Sequence, residues 1–151
     1  MTSTQKATRA TQASQRTSTG ARAFTSTLTI AIATLAALLI WAICVPLLGI
    51  ELDVPQAGMT VGPIAIAVSA LGGGIAAWGL QATMGRTRRG LKAWTVVALV
   101  VLALSLAGPA LSGAIGAALS ILEILHIVVG TILIVGLRRA GRAAPARRSN
   151  A

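Results

Sequence analysis

Two side chains in this sequence carry strong acid–base chemistry in surroundings that do not favour it. Glu123 and His126 both lie inside the apolar run LSILEILHIVVGTILIVGL, residues 119–137. A Glu-x-x-His spacing brings the two to neighbouring positions on one side of a helix. Three chemistries use such a pair. It can be a hydrogen-bond network that fixes helix register, a proton or cation relay, or two ligands of a metal ion. A metal site needs more donors, and the other apolar runs contain no further Asp, Glu or His, so a single chain cannot complete one. We read the pair first as a structural network and keep the proton or cation pathway as the alternative. An acidic side chain at the centre of a bilayer costs about 2.5–3.5 kcal/mol on insertion scales, so protonation, polar partners or a wet cavity must offset it. No nucleophile–base pair, Walker-type loop, CxxC pair or HExxH motif occurs. The run Gly72-Gly73-Gly74 lies within an apolar stretch and cannot cradle phosphate. We therefore expect no enzyme, no catalytic residue and no cofactor.

The elements that must position the pair follow from composition. The 151 residues are 55% hydrophobic and only 11% charged, too few charges to cover a soluble domain. Four apolar runs, about 24–48, 61–84, 91–111 and 114–137, are each long enough for a membrane span. The first is too long for a signal-peptide core of about 7–15 residues and lacks a small-x-small cleavage site. Pro46 should kink or end it. The expected fold is all-α, a polytopic four-transmembrane-helix bundle. Residues 1–23 and 138–151 are expected to be disordered basic tails, because they hold too little large apolar surface to offset ordering entropy. Residues 51–60 read as a short loop at Pro55 and Gly58, with Glu51 and Asp53 as its solvated edge. Ser112-Gly113 reads as a tight turn that makes the third and fourth helices antiparallel neighbours. The lone Cys44 reads as a small packing residue.

The charges give an orientation. All 13 Lys and Arg residues fall in three blocks, four before the first run, four within 86–92 and five after the last. The positive-inside rule puts the N and C termini and the 86–92 loop in the cytoplasm, and the 51–60 and 108–113 connections outside. The net charge of +10 would suit nucleic acid. However, there is no Tyr and one Phe, so no stacking platform for bases exists, and no nucleic acid is expected. Partners are instead the lipid bilayer, anionic lipid headgroups at the basic tails, and a second copy or another membrane protein. The expected location is the plasma membrane. Trp78 and Trp94 read as an aromatic belt at the cytoplasmic interface, and Trp41 lies toward the outer leaflet.

Helical spacing then assigns faces. Ser69, Gly73 and Ala77 form a small-xxx-small ridge on the second helix. Trp94, Ala98, Val101, Ser105, Gly108 and Ser112 form a stripe on the third. On the fourth, Gly116, Ser120, Glu123, Ile127, Gly130, Ile134 and Leu137 form a stripe expected to face inward, with Ala118, Ile121, Leu125, Val128, Val129 and Ile132 toward lipid. Counting from the tight turn puts Ser69 and Ser105 near the depth of Glu123. The expected site is a buried polar cluster of Ser69, Ser105, Glu123 and His126.

Several short elements are familiar: Ala77-Trp78-Gly79, Trp94-Thr95, Ser105-Leu106-Ala107-Gly108-Pro109, and Leu122 to His126 with its Leu-x-x-x-His spacing. Over about residues 27–137 the chain resembles a family of small actinobacterial membrane proteins catalogued only as a domain of unknown function. The resemblance implies four helices in the plasma membrane and brings no activity.

Overall fold

The structure is a computed structural model that describes residues 3–85 and 87–142. Helix α1 runs Ser3–Ala42 and passes directly into a π-helical turn, Ile43–Leu47. It begins at Ser3 and not near Phe24, since Ala, Gln and Arg, all good helix formers, are spread among the Ser and Thr residues ahead of the apolar run. Pro46 sits inside the π turn. It has no N–H to continue an α-helix, and the wider turn closes instead through Leu48 N to Ile43 O (3.1 Å) and Ile50 N to Cys44 O (3.0 Å).

The connection expected to be a loop is a small β-hairpin. Strands β1 (Asp53–Val54) and β2 (Met59–Thr60) pair antiparallel around a 3-10 turn at Pro55–Ala57. Gly58 closes that turn with φ +61°, a conformation in which a side chain would be strained. Asp53 is exposed, as a solvated edge would be, but its Oδ1 also accepts from Thr60 Oγ1 at 2.8 Å. Strand alternation turns the neighbouring apolar residues the other way. Leu52 and Val54 are 0% and 7% exposed and join Ala37, Ile66, Ala114, Ile121, Leu122 and Leu125 in one core cluster. The hairpin therefore plugs one end of the helical array. Gln56 N donates to Ser112 O (3.2 Å), and Trp41 Nε1 donates to Val61 O (3.3 Å), which fastens the hairpin to two further elements.

Three long helices follow: α2 (Pro63–Met84), α3 (Arg88–Ser105) and, after the short α4 (Ala107–Leu111), α5 (Gly116–Arg142). The third apolar run was expected to form one helix. It breaks at Leu106 because Pro109 cannot donate to Ser105 O and its ring crowds that carbonyl. Four stretches, Gly20–Leu47, Pro63–Met84, Arg88–Leu111 and Gly116–Arg142, are helices long and apolar enough to cross a membrane. The expected C-terminal tail enters the structure as the last turn of α5. Its remainder, 143–151, lies outside the described residues.

Helix α1 packs on α5 and α2, and α3 packs on the same two helices from the other side. The orientation of α5 corrects the expected inner stripe. Ala118, Ile121, Leu122, Leu125, Leu133 and Leu137 are buried, while Gly116, Ser120 and Ile127 are exposed and Glu123 is half-buried. Ala118, Ile121 and Leu125, expected to face lipid, are thus in the core, while Leu137 of the expected inner stripe is buried as expected. Branched and long aliphatic side chains supply more dispersion contact than a Gly/Ser/Glu stripe. Ala118, Ile121, Leu122 and Leu125 pack on Ala37, Leu52 and Val54, Leu133 on Ile30 and Ala33, and Leu137 on Leu91 and Trp94, elements that a reading of α5 by itself leaves out.

Glycine is used in two ways. A Cβ on Gly74 would come within 2.8 Å of Ile30, and one on Gly136 would collide with the branched side chain of Thr29. These two positions let α2 and α5 close on α1. At Gly72, Gly73 and Gly79 nothing lies within 4 Å of the same position. Gly136→Ala should cost about 1–3 kcal/mol, as overpacking does, while Gly79→Ala should stay within about 0.5 kcal/mol of the parent. Thermal unfolding of the two variants in one detergent checks this, and equal midpoints would refute the packing described.

Candidate functional site

Helices α2 and α3 are held together at the end of the molecule that carries the basic residues. Thr87 caps α3, its Oγ1 accepting from Gly90 N at 3.0 Å. Trp94, only 1% exposed, donates from Nε1 to Ala77 O at 3.1 Å. Beside it the buried Gln81 donates from Nε2 to Leu137 O at 3.1 Å, tying α2 to α5. Trp94 is therefore an interior clamp and not a member of an interfacial belt, because its indole N–H finds a partner only on the neighbouring helix.

Beyond this clamp a cleft of about 740 Å³ separates α2 from α3 and reaches the hairpin. Its floor is α5, through Leu125, His126, Val129 and Gly130. Its mouth is bordered by the exposed side chains of Met59, Val68 and Val101. The ridge Ser69, Gly73, Ala77 and the whole α3 stripe from Trp94 to Ser112 line it. Both faces were identified by spacing, but they front a space and not each other, because small side chains on α2 do not reach across.

The four expected cluster residues fall into two groups. Ser69, Ser105 and His126 border the cleft; Glu123 does not. By helical rise, Ser69 lies about 9 Å from the start of α2 and His126 about 15 Å from that of α5, while Ser105 is the last residue of α3. They do not bond to one another. Ser105 Oγ donates to Leu102 O (2.8 Å), and Nδ1 of His126 lies 2.7 Å from Leu122 O. Since a carbonyl only accepts, Nδ1 makes this bond as the donor, in the tautomer that leaves Nε2 as an acceptor. Ser112, which also borders the cleft, donates to Gly108 O and Pro109 O, both at 3.0 Å. Each of these three side chains thus bonds to its own helix or to the turn beside it. No side-chain hydrogen bond or ion pair reaches the Glu123 carboxylate among the described residues. Nor is any group of three or more His, Cys, Asp or Glu side chains gathered there to hold a metal ion. Sequence reasoning missed Gln81 as a structural donor, although an amide inside an apolar run was the available signal.

Fold and cleft together define a small helical protein with four potential membrane spans and one lateral apolar recess floored by a histidine. Residues 17–143 match a family described as a family of unknown function, DUF6069, and the chain belongs to that family. No curated protein and no solved structure matches it.

The clamp is testable directly. Trp94→Phe removes the bond to Ala77 O but keeps most of the ring, and should cost about 1 kcal/mol. Trp94→Ala should cost about 3–5 kcal/mol. Denaturation in mild detergent measures both, and a neutral Trp94→Ala would contradict the clamp.

Proposed function

We propose that this chain is a multi-pass protein of the plasma membrane, a four-helix bundle with both termini in the cytoplasm, and that it acts by association and not by catalysis. In the same reading it is one of a group of small actinobacterial membrane proteins. The charge pattern supports the orientation. Among the described residues Arg22, Arg88, Arg89, Lys92, Arg138, Arg139 and Arg142 belong to one end, and Glu51 and Asp53 to the other. That end suits the anionic headgroups of a cytoplasmic leaflet, with attraction of about 1 kcal/mol per basic residue near the surface.

The observation that carries the association reading is the open space at Gly72 and Gly79. Each glycine weakens a helix by about 1 kcal/mol relative to Ala in water. In lipid, small residues let another helix approach closely, and the reward is van der Waals contact. With Ala76 they give α2 an outward face shaped for a second copy or another membrane protein. A transport role through Glu123 and His126 draws less support, because only His126 borders the cleft.

Paired substitution Gly72→Leu with Gly79→Leu should lower self-association at least about tenfold, while the thermal midpoint stays near that of the parent. Native mass measurement and crosslinking in mild detergent read this out. A parent chain that is strictly monomeric in membranes would overturn association with a second copy.

A further inference from the structure

We propose that the cleft between α2 and α3 is a binding site for a lipid-phase molecule with an apolar chain and one free hydroxyl, which donates its hydrogen bond to Nε2 of His126. The proposal rests on reading the four helices as membrane spans and names a ligand that this reading leaves open.

Three features of the cleft select the ligand. The first is size and access. A space of about 740 Å³ falls within the roughly 300–1,000 Å³ of small-molecule sites. Its mouth lies between two spans, at Val68 and Val101, which are 63% and 58% exposed. What enters from that side comes from the hydrocarbon phase. The second is lining. Ala70, Gly73, Ala77 and Ala98 make smooth apolar walls on which a chain can lie. The third is hydrogen-bond polarity. His126 gives its Nδ1 proton to Leu122 O, Ser105 its hydroxyl proton to Leu102 O, and Ser112 its own to Gly108 O and Pro109 O. All three then offer the cleft only lone pairs. Ser69 alone keeps a free hydroxyl.

Away from Ser69, on the His126 floor and the Ser105 and Ser112 side, the cleft presents only acceptors and wants a donor. A carbonyl, ester or ether brings another acceptor, and a charged headgroup is costly at that depth. A neutral hydroxyl is the donor that crosses the hydrocarbon phase most cheaply, and the unpaired Nε2 lies at the floor, where the end of a chain entering laterally arrives. One hydrogen bond in an apolar recess gives the selectivity, and the chain in the groove gives the contact area.

The test uses the full chain in lipid vesicles and a photoactivatable long-chain primary alcohol carrying an alkyne handle. Labelling should map to the cleft walls of α2 and α3. Unlabelled hexadecanol should compete about tenfold better than its methyl ether, which has the same chain and no donor. His126→Phe should bring the two competitors within about twofold of each other. Gly73→Leu should abolish labelling, since nothing stands within 4 Å of its Cβ position and the new side chain projects into the groove that Gly73 lines. The competition on the unaltered chain needs no variant to fold. Equal competition by alcohol and ether, labelling spread evenly over all lipid-facing helices, or labelling undiminished by Gly73→Leu would each overturn the site. Release of the chain from membranes by alkaline carbonate would overturn the membrane reading, and the site with it.

Discussion

The bond from Trp94 to Ala77 O determines the shape of this molecule. It joins α2 and α3 just beyond their short connection, and Trp94 fills the space there so completely that it is 1% exposed. From that point the small residues Ala77, Gly73 and Ser69 on α2 cannot follow α3 outward. The recess is what remains when two helices are fixed at one end and carry too little side-chain volume to meet along their length. Gln81 extends the same clamp to α5 through Leu137 O, and the hairpin closes the other end by burying Leu52 and Val54. The histidine floor is accessible because these closures are terminal and the opening is lateral.

A second regularity concerns polar groups. In hydrocarbon every backbone and side-chain donor must be satisfied within the protein. Here the hydroxyl and imidazole donors mostly turn back on their own helix: Thr29 to Thr25 O, Thr34 to Ile30 O, Thr95 to Leu91 O, Ser105 to Leu102 O and His126 to Leu122 O. Among the described residues, the side-chain donors that cross to or from a long helix are tryptophan and glutamine. Short side chains close such bonds without reaching a neighbour, and long ones do not. Helix register is therefore set by glycine contacts and three long donors, and not by the Glu123 and His126 network that the sequence suggested.

Much of the architecture was legible from residue order. The four long apolar helices, the pairing across Ser112-Gly113 and the faces containing Ser69, Gly73 and Ala77 on α2 and Trp94 to Ser112 on α3, α4 and the turn after it all correspond to structure. Three things were not. The rotation of α5 depends on α1 and the hairpin, so spacing within α5 alone picked the polar stripe over the aliphatic one that packs. The hairpin has only two residues per strand, too short for an alternation signal. The separation of Glu123 from the cleft depends on that same rotation.

The account centres on the cleft being open to the membrane interior. A spin label at Gly73, introduced by Gly73→Cys in a chain carrying Cys44→Ala, reports this directly by its collision with lipid-soluble oxygen and with a water-soluble nickel chelate. The account predicts strong broadening by oxygen and almost none by the chelate, as at a label on the mouth residue Val68. Protection from both agents would show α2 packed against α3 with no recess, and broadening by the chelate would show an aqueous path; either would contradict it.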